Sequence, residues 1–195
     1  MRKFVLATEN QGKIREMRDI LSEFGIQVLS RKEVGIDIHV EETGLTFEQN
    51  ALLKAEAICK ASGLPSIADD SGLEVDALDG EPGVYSSSYG GEHLNDTRRC
   101  DYLIKKMKNM EQRSAKFVCT IVCAYPDGRN ITVKGECFGE IMTSLRGTGG
   151  FGYDPVFLVK GTDKSMAELA PEEKNALSHR GNALRALVKE LREMI

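Results

Sequence analysis

Two features predict an α/β protein built on a mixed sheet, and its length predicts a single domain. Short apolar runs alternate with 3.6-period helical patterns through the first third of the chain, the order expected of strands joined by crossover helices. Residues 117–125 and 131–141 read as two strands around the turn Pro126-Asp127-Gly128-Arg129, so part of the sheet is antiparallel. The 195 residues can build one good-sized core, or two lobes sharing a sheet, but not several independent domains; a single domain over residues 1–195 is expected.

The elements follow in order. Residues 4–8 form a short buried strand, and a helix opens at Gly12, with Ile14, Met17, Ile20, Leu21 and Phe24 on one face before Gly25 ends it. The loop between them, Thr8-Glu9-Asn10-Gln11-Gly12-Lys13, offers a hydroxyl, amides, free backbone N–H groups and an ammonium, a set that can hold phosphates. It is not a Walker A loop, because Ala7 stands five before Gly12 and Ile14 follows Lys13. The same Thr8 and Asn10 are equally suited to capping the helix. Residues 26–29 suggest a second strand. Thr46 and Gln49 then form a capping-box pattern for a helix over 47–62, closed by Gly63-Leu64-Pro65. Lys54 lies on the edge of its apolar stripe with Asn50 one turn earlier; the ammonium can reach inward or snorkel to the surface.

Residues 66–69 are the next strand, feeding Ile67-Ala68-Asp69-Asp70-Ser71-Gly72-Leu73. Adjacent carboxylates leave a strand in opposite directions, and Gly72 can supply a positive φ for a sharp exit. Such oxygen ligands suit Mg²⁺, which keeps several waters and borrows substrate phosphates. An acidic turn that merely ends the strand fits the same seven residues. Residues 74–78 alternate like a separate short strand, residues 84–91 read as an irregular loop, and Asn95 caps a helix running to about Met110.

Gly147-Thr148-Gly149-Gly150-Phe151-Gly152 matches the dinucleotide fingerprint, but Pro155 and the β-formers after it deny the helix that site requires. Those glycines can instead let backbone approach a ligand, with Phe151 or Tyr153 as a stacking face and Asp154 as a polar reader, or simply lead into a strand over 155–159. Pro171 starts a helix. Ser178-His179-Arg180-Gly181 precedes a final amphipathic helix carrying Leu184, Leu187, Val188, Leu191 and Met194.

Composition narrows the function. Charged residues of both signs are interspersed, 29% of the chain with a net charge of -4, which gives no nucleic-acid surface. No apolar run is long enough to span a membrane, and the start of the chain turns polar too soon for a signal peptide, so a cytoplasmic protein is expected. Five cysteines without a C-x-x-C pair read as reduced thiols rather than a disulfide framework or zinc knuckle.

Taken together, the motifs resemble the inosine triphosphate pyrophosphatase family. The matching stretches are residues 7–13, Glu41-Glu42-Thr43-Gly44-Leu45-Thr46-Phe47, Asn50-Ala51 with Lys54-Ala55, residues 67–73, Pro82-Gly83-Val84-Tyr85-Ser86, residues 147–155 and Leu177-Ser178-His179-Arg180-Gly181, in family order. Glu9 departs from the family, which often carries Gly there.

The resemblance implies an elongated mixed sheet with flanking helices, two lobes around a nucleotide-binding cleft, and a homodimer. It implies hydrolysis of non-standard purine nucleoside triphosphates between the α and β phosphates, with Mg²⁺ as cofactor. Asp70 would be metal ligand and base, with Glu41 sharing the metal and Asp69 in support. Lys13 and Lys54, with Thr8, Glu9, Asn10, Gln11 and Gly12, would hold the triphosphate, and Ser71 would contact substrate. The base would meet Phe151, Gly152, Tyr153, Asp154, Lys174, His179 and Arg180. Donors facing the purine 6-position reject an adenine amino group; they do not by themselves reject GTP. A haloacid-dehalogenase-like phosphatase would need Asp-x-Asp where this chain has adjacent aspartates.

Overall fold

The computed structural model describes residues 3–193. Met1 and Arg2, in the start read against a signal peptide, and Met194 of the last helical stripe lie outside the described residues. Within them the order is β1 (Lys3–Leu6), α1 (Gln11–Glu23), β2 (Gln27–Ser30), α2 (Phe47–Ser62), β3 (Ser66–Val75), α3 (Asp96–Lys106), β4 (Ser114–Ala124), β5 (Asn130–Ile141), β6 (Phe157–Val159), α4 (Pro171–Leu177) and α5 (His179–Glu193). The strands form one sheet in the order β2-β1-β3-β4-β5-β6. β1 runs parallel to β2 and β3, and β5 runs antiparallel to β6, so the sheet is mixed. No helix among the described residues is long and apolar enough to cross a membrane.

Helix starts follow local chemistry. The side chain of Asn10 accepts the Lys13 N–H at 3.1 Å, and that of Asn95 accepts the Arg98 N–H at 2.9 Å, each satisfying a donor that the first turn leaves open. Thr46 likewise accepts the Gln49 N–H at 3.2 Å, but the Gln49 side chain accepts from Leu45 at 2.7 Å. The expected capping box is therefore only half made. α3 stops at Lys106, short of Met110, where the chain tightens into turns with Lys108 bonded to Lys105 and Met110 to Met107.

The acidic stretch departs most from expectation. Residues 66–75 form one continuous ten-residue strand, so Asp69-Asp70-Ser71-Gly72 is not an exit elbow and residues 74–78 do not start a separate strand. Gly72 does not take a positive φ. Burial on both faces along β3 supplies the reason: Ile67, Ala68, Leu73 and Val75 are all fully buried and keep the chain extended. Similarly, residues 154–156 make a 3₁₀ turn, and the strand begins only at Phe157.

The chain divides into two compact units. The first holds the residues up to Asp70, Cys119–Gly135 and those from Arg180 on; the second holds Ser71–Val118 and Glu136–His179. In the first unit, alternate strand residues supply two separate apolar clusters. Phe4, Leu6, Ile67 and Ile121 pack with residues of α1 and α5, whereas Val5, Ala7, Ala68 and Val122 pack with residues of α2. The second unit packs Leu73, Leu103, Phe117, Ile141, Tyr153 and Phe157 into its own core.

Candidate active site

In the first unit the strand order β2-β1-β3 places the crossovers through α1 and α2 around β1. The order of strands reverses between β1 and β3, and the carboxyl ends of parallel strands at such a point form a natural crevice. The loop after β1, whose residues were expected to hold phosphates, and the two aspartates lie there. Leu6, the last residue of β1, pairs with Ile67, so Asp69 and Asp70 lie just beyond the end of β1, level with the loop that follows it.

Strand alternation sends the two carboxylates to opposite faces, and their surroundings differ. Asp69, buried on the α1 and α5 side, receives Lys13 Nζ at 2.9 Å and the Arg180 guanidinium at 3.3 Å, and Cys119 Sγ lies 4.0 Å away. Arg180 also bonds Glu16. Burial alone would raise the Asp69 pKa, but the Lys13 and Arg180 charges outweigh it and hold the carboxyl well below the usual range. Arg180 is 1% exposed, and although burial opposes its charge, Asp69 and Glu16 keep it firmly protonated.

Asp70 faces α2. It accepts from Asn50 Nδ2 at 3.1 Å and lies 3.5 Å from Lys54 Nζ, which also pairs with Glu42 at 2.7 Å. Burial, reinforced by Glu42 and opposed by Lys54, raises the Asp70 pKa. Lys54 is also buried, which works against its charge, yet Asp70, Asp69 and Glu42 together raise its pKa. Asn50 is held in turn by accepting the Gly44 N–H at 2.8 Å. A Cβ at Gly44 would stand 2.7 Å from that same amide oxygen, so only glycine fits there.

The loop after β1 is ordered by its own side chains. Thr8 Oγ1 accepts from the Asn10 N–H at 3.2 Å, Gln11 donates to the Glu9 carbonyl at 3.2 Å, and Asn10 caps α1. Thr8 and Gly12 are half-buried, while Glu9, Asn10 and Gln11 are exposed. Glu41 is exposed; its neighbour Glu42 makes the contact with Lys54.

The second unit gathers another polar group. Asp154, buried, accepts from Lys174 Nζ at 2.7 Å and from the Phe151 N–H at 2.9 Å, and the Lys174 ammonium lies 4.8 Å from the centre of the Phe151 ring. The glycine run serves this internal approach. Gly150 has φ +73°, and a Cβ there would stand 2.0 Å from Asp154 Oδ2. Gly152 donates its N–H to Asp96 at 2.7 Å. Tyr153 is buried with its hydroxyl donating to the Ser86 carbonyl at 2.8 Å, so its ring belongs to the core rather than to an open stacking face. His179 stacks on Phe117, ring centres 4.7 Å apart and planes within 13°. Ser71 is half-buried on β3. Phe151, Asp154 and Lys174 are thus brought together, while Arg180, expected beside the base, lies in the first unit on Asp69 and Glu16.

A family model described as the Ham1 family matches residues 4–190. The chain belongs to the Ham1 family. It is similar to the dITP/XTP pyrophosphatase of Clostridium perfringens, 45% identical over the whole of both chains, and to that of Desulfotalea psychrophila, 48% identical over 98% of this chain and 86% of the relative. Among solved structures, the Ham1 protein of Staphylococcus aureus has a TM-score of 0.89 at 45% identity, covering all of both chains. A Ham1 protein from Coxiella burnetii has a TM-score of 0.90 at 40% identity, covering 99% of this chain and all of the other.

In this Ham1 chain several side-chain contacts go beyond a reading of the sequence. Asn50 orients Asp70, Glu42 pairs with Lys54, and Glu16 anchors Arg180. Asn50 carries a legible signal, a polar residue four before Lys54 on an otherwise apolar helix face. Glu16 carries none, since its partner lies 164 residues away. Chemically, one carboxylate is locked between cations while the other, with an amide, an ammonium and a second carboxylate around it, is free to take a proton or share a hard cation.

Proposed function

We propose that this chain hydrolyses non-standard purine nucleoside triphosphates, dITP, ITP and XTP, to the nucleoside monophosphate and pyrophosphate, clearing them from the nucleotide pool. The observation that carries the reading is the opposed pair on β3: Asp69 clamped by Lys13 and Arg180, Asp70 held by Asn50 and Lys54 at the reversal point of the sheet. Full-length similarity to proteins named dITP/XTP pyrophosphatases supports the substrate class.

The residues fit Mg²⁺. Asp70 and Glu42 present hard oxygens toward one point, drawn together by Lys54 at 3.5 and 2.7 Å. Glu41, one residue away and exposed, is the other candidate ligand. Among the described residues no group of three acidic, His or Cys side chains converges, so substrate phosphates would complete the set. When bound, the cation neutralises charge on the phosphate oxygens. Asp70 orients the attacking water and takes its proton, with Asn50 fixing the carboxylate plane. Asp69 holds Lys13 beside the loop, and Lys13 and Lys54 stabilise charge as pyrophosphate leaves. Thr8 and the loop N–H groups at the start of α1 bind phosphate oxygens.

Phe151 supplies the stacking face for the base, with Asp154, Lys174 and His179 as polar readers. The working enzyme is a cytoplasmic homodimer without nucleic-acid or membrane partners, and exposed Phe138 and Tyr85 are large apolar groups that a subunit interface would cover.

Hydrolysis of dITP, XTP, ATP and GTP, with and without Mg²⁺, tests the reading. Mg²⁺-dependent release of monophosphate from dITP and XTP, far faster than from ATP and GTP, is expected. Asp70→Asn should lose turnover by about 100-fold or more while still binding dITP; an active variant removes Asp70 from the chemistry. Comparing Glu41→Gln with Glu42→Gln identifies the second ligand by its rise in the Mg²⁺ concentration needed for half-maximal rate.

A further inference from the structure

Both lysines of the proposed phosphate site are already matched by carboxylates, Lys13 by Asp69 and Lys54 by Asp70 and Glu42. A triphosphate carries about four negative charges, more than Lys13, Lys54 and one Mg²⁺ can offset while they also face Asp69, Asp70 and Glu42, so its outer phosphates call for a further cation. The structure holds one on the other side of the loop. Arg31, the residue after β2, is 9% exposed, and its guanidinium bonds the Ile38 carbonyl and approaches Glu9 Oε1 at 3.3 Å. Its Nε is buried without a hydrogen-bond partner. Glu9 has a side chain 70% exposed, so this pair is solvent-screened and readily exchanged.

Arg31 lines a cavity of about 750 Å³ together with Thr8, Glu9, Gln11, Arg18 and Lys32. Its charged lining comprises three cations and two carboxylates, Glu9 and Asp37. Arg18 is engaged by Glu33, which leaves Arg31 as the buried cation of the set. The cavity shares the phosphate loop but does not include Asp69 or Asp70. Sheet order explains the placement: β2 and β3 flank β1, so Arg31 and the aspartates stand on either side of the loop, about 10 Å apart by strand spacing. A triphosphate laid across that loop from Asp70 points its terminal phosphate at β2.

We propose that Arg31 is the contact for the outer phosphates of the substrate and for the pyrophosphate product, and that Glu9 holds its place until the anion arrives. The proposal rests on the functional reading above. On binding, the guanidinium exchanges the Glu9 carboxylate for phosphate oxygens, and Glu9 returns to solvent. Glu9 is then a competitor built into the loop that weakens retention of the product.

The test is inhibition of dITP hydrolysis by pyrophosphate and, separately, by dIMP, in wild type, Glu9→Gln and Arg31→Met. The expected result is pyrophosphate inhibition weakened about tenfold in Arg31→Met and strengthened in Glu9→Gln, with dIMP inhibition unchanged in both. Pyrophosphate inhibition unaltered by either substitution overturns the proposal while leaving the functional reading intact. Should Arg31→Met fail to fold, Glu9→Gln decides alone, since the Glu9 side chain is 70% exposed and its one ion pair, with Arg31, is solvent-screened: tightening supports the proposal and no change overturns it. A wild type that releases no pyrophosphate from dITP overturns the functional reading itself.

Discussion

At the residue scale, the two adjacent aspartates do different work because a strand turns consecutive side chains to opposite faces. The Asp69 carboxylate is buried with two cations on it, and removing one partner of such a buried pair leaves charge uncompensated. Arg180→Met should therefore destabilise the fold by about 3–5 kcal/mol, read as the midpoint of urea unfolding. A loss below about 1 kcal/mol would show that Arg180 is held by packing alone. Burial similarly governs the thiols: it pushes the pKa of Cys100 and Cys119 up to about 12, and all five cysteines are buried and unpaired. Much of this scale was legible. The two aspartates, Lys13 and Lys54 stood out in the sequence as chemistry-bearing types near strand and helix ends. The Glu42 contact with Lys54 depended on which way a side chain turns, and neighbouring residues in a loop give no periodicity from which to read it; Arg180 reaches Asp69 across 111 residues of sequence.

At the scale of elements, caps and glycines set the boundaries. Asn95→Ala should cost about 1 kcal/mol by freeing the Arg98 N–H, read as the midpoint of urea unfolding. Gly150→Ala should cost at least about 1–2 kcal/mol, because the residue sits at φ +73° and its new methyl would meet Asp154. A further loss of base selectivity in that variant would indicate that the Asp154 and Lys174 pair reads the substrate. Helices were the easier elements to foresee, since α1, α2 and α5 carry apolar residues at 3.6 spacing. β3 was misjudged at its far end because Asp-Asp-Ser-Gly is turn chemistry in isolation; fully buried neighbours override that preference and keep the strand extended.

At the scale of the whole molecule, a parallel β2-β1-β3 segment supplies the reversal point at which the two aspartates meet the loop after β1, and the β4–β5 hairpin with β6 makes the sheet mixed. The mixed character was legible from one turn motif between two long strand patterns. Two lobes were expected from the family resemblance, but their boundaries were not legible, because β3, β4 and β5 each pass from one unit to the other without any break in composition. The central claim is that water attacks at the α phosphorus and pyrophosphate leaves intact. The most direct measurement is hydrolysis of dITP in ¹⁸O-water with Mg²⁺, followed by mass spectrometry of the products. The account predicts one ¹⁸O in dIMP and unlabelled pyrophosphate. Label in pyrophosphate, or release of orthophosphate with dIDP, would contradict it.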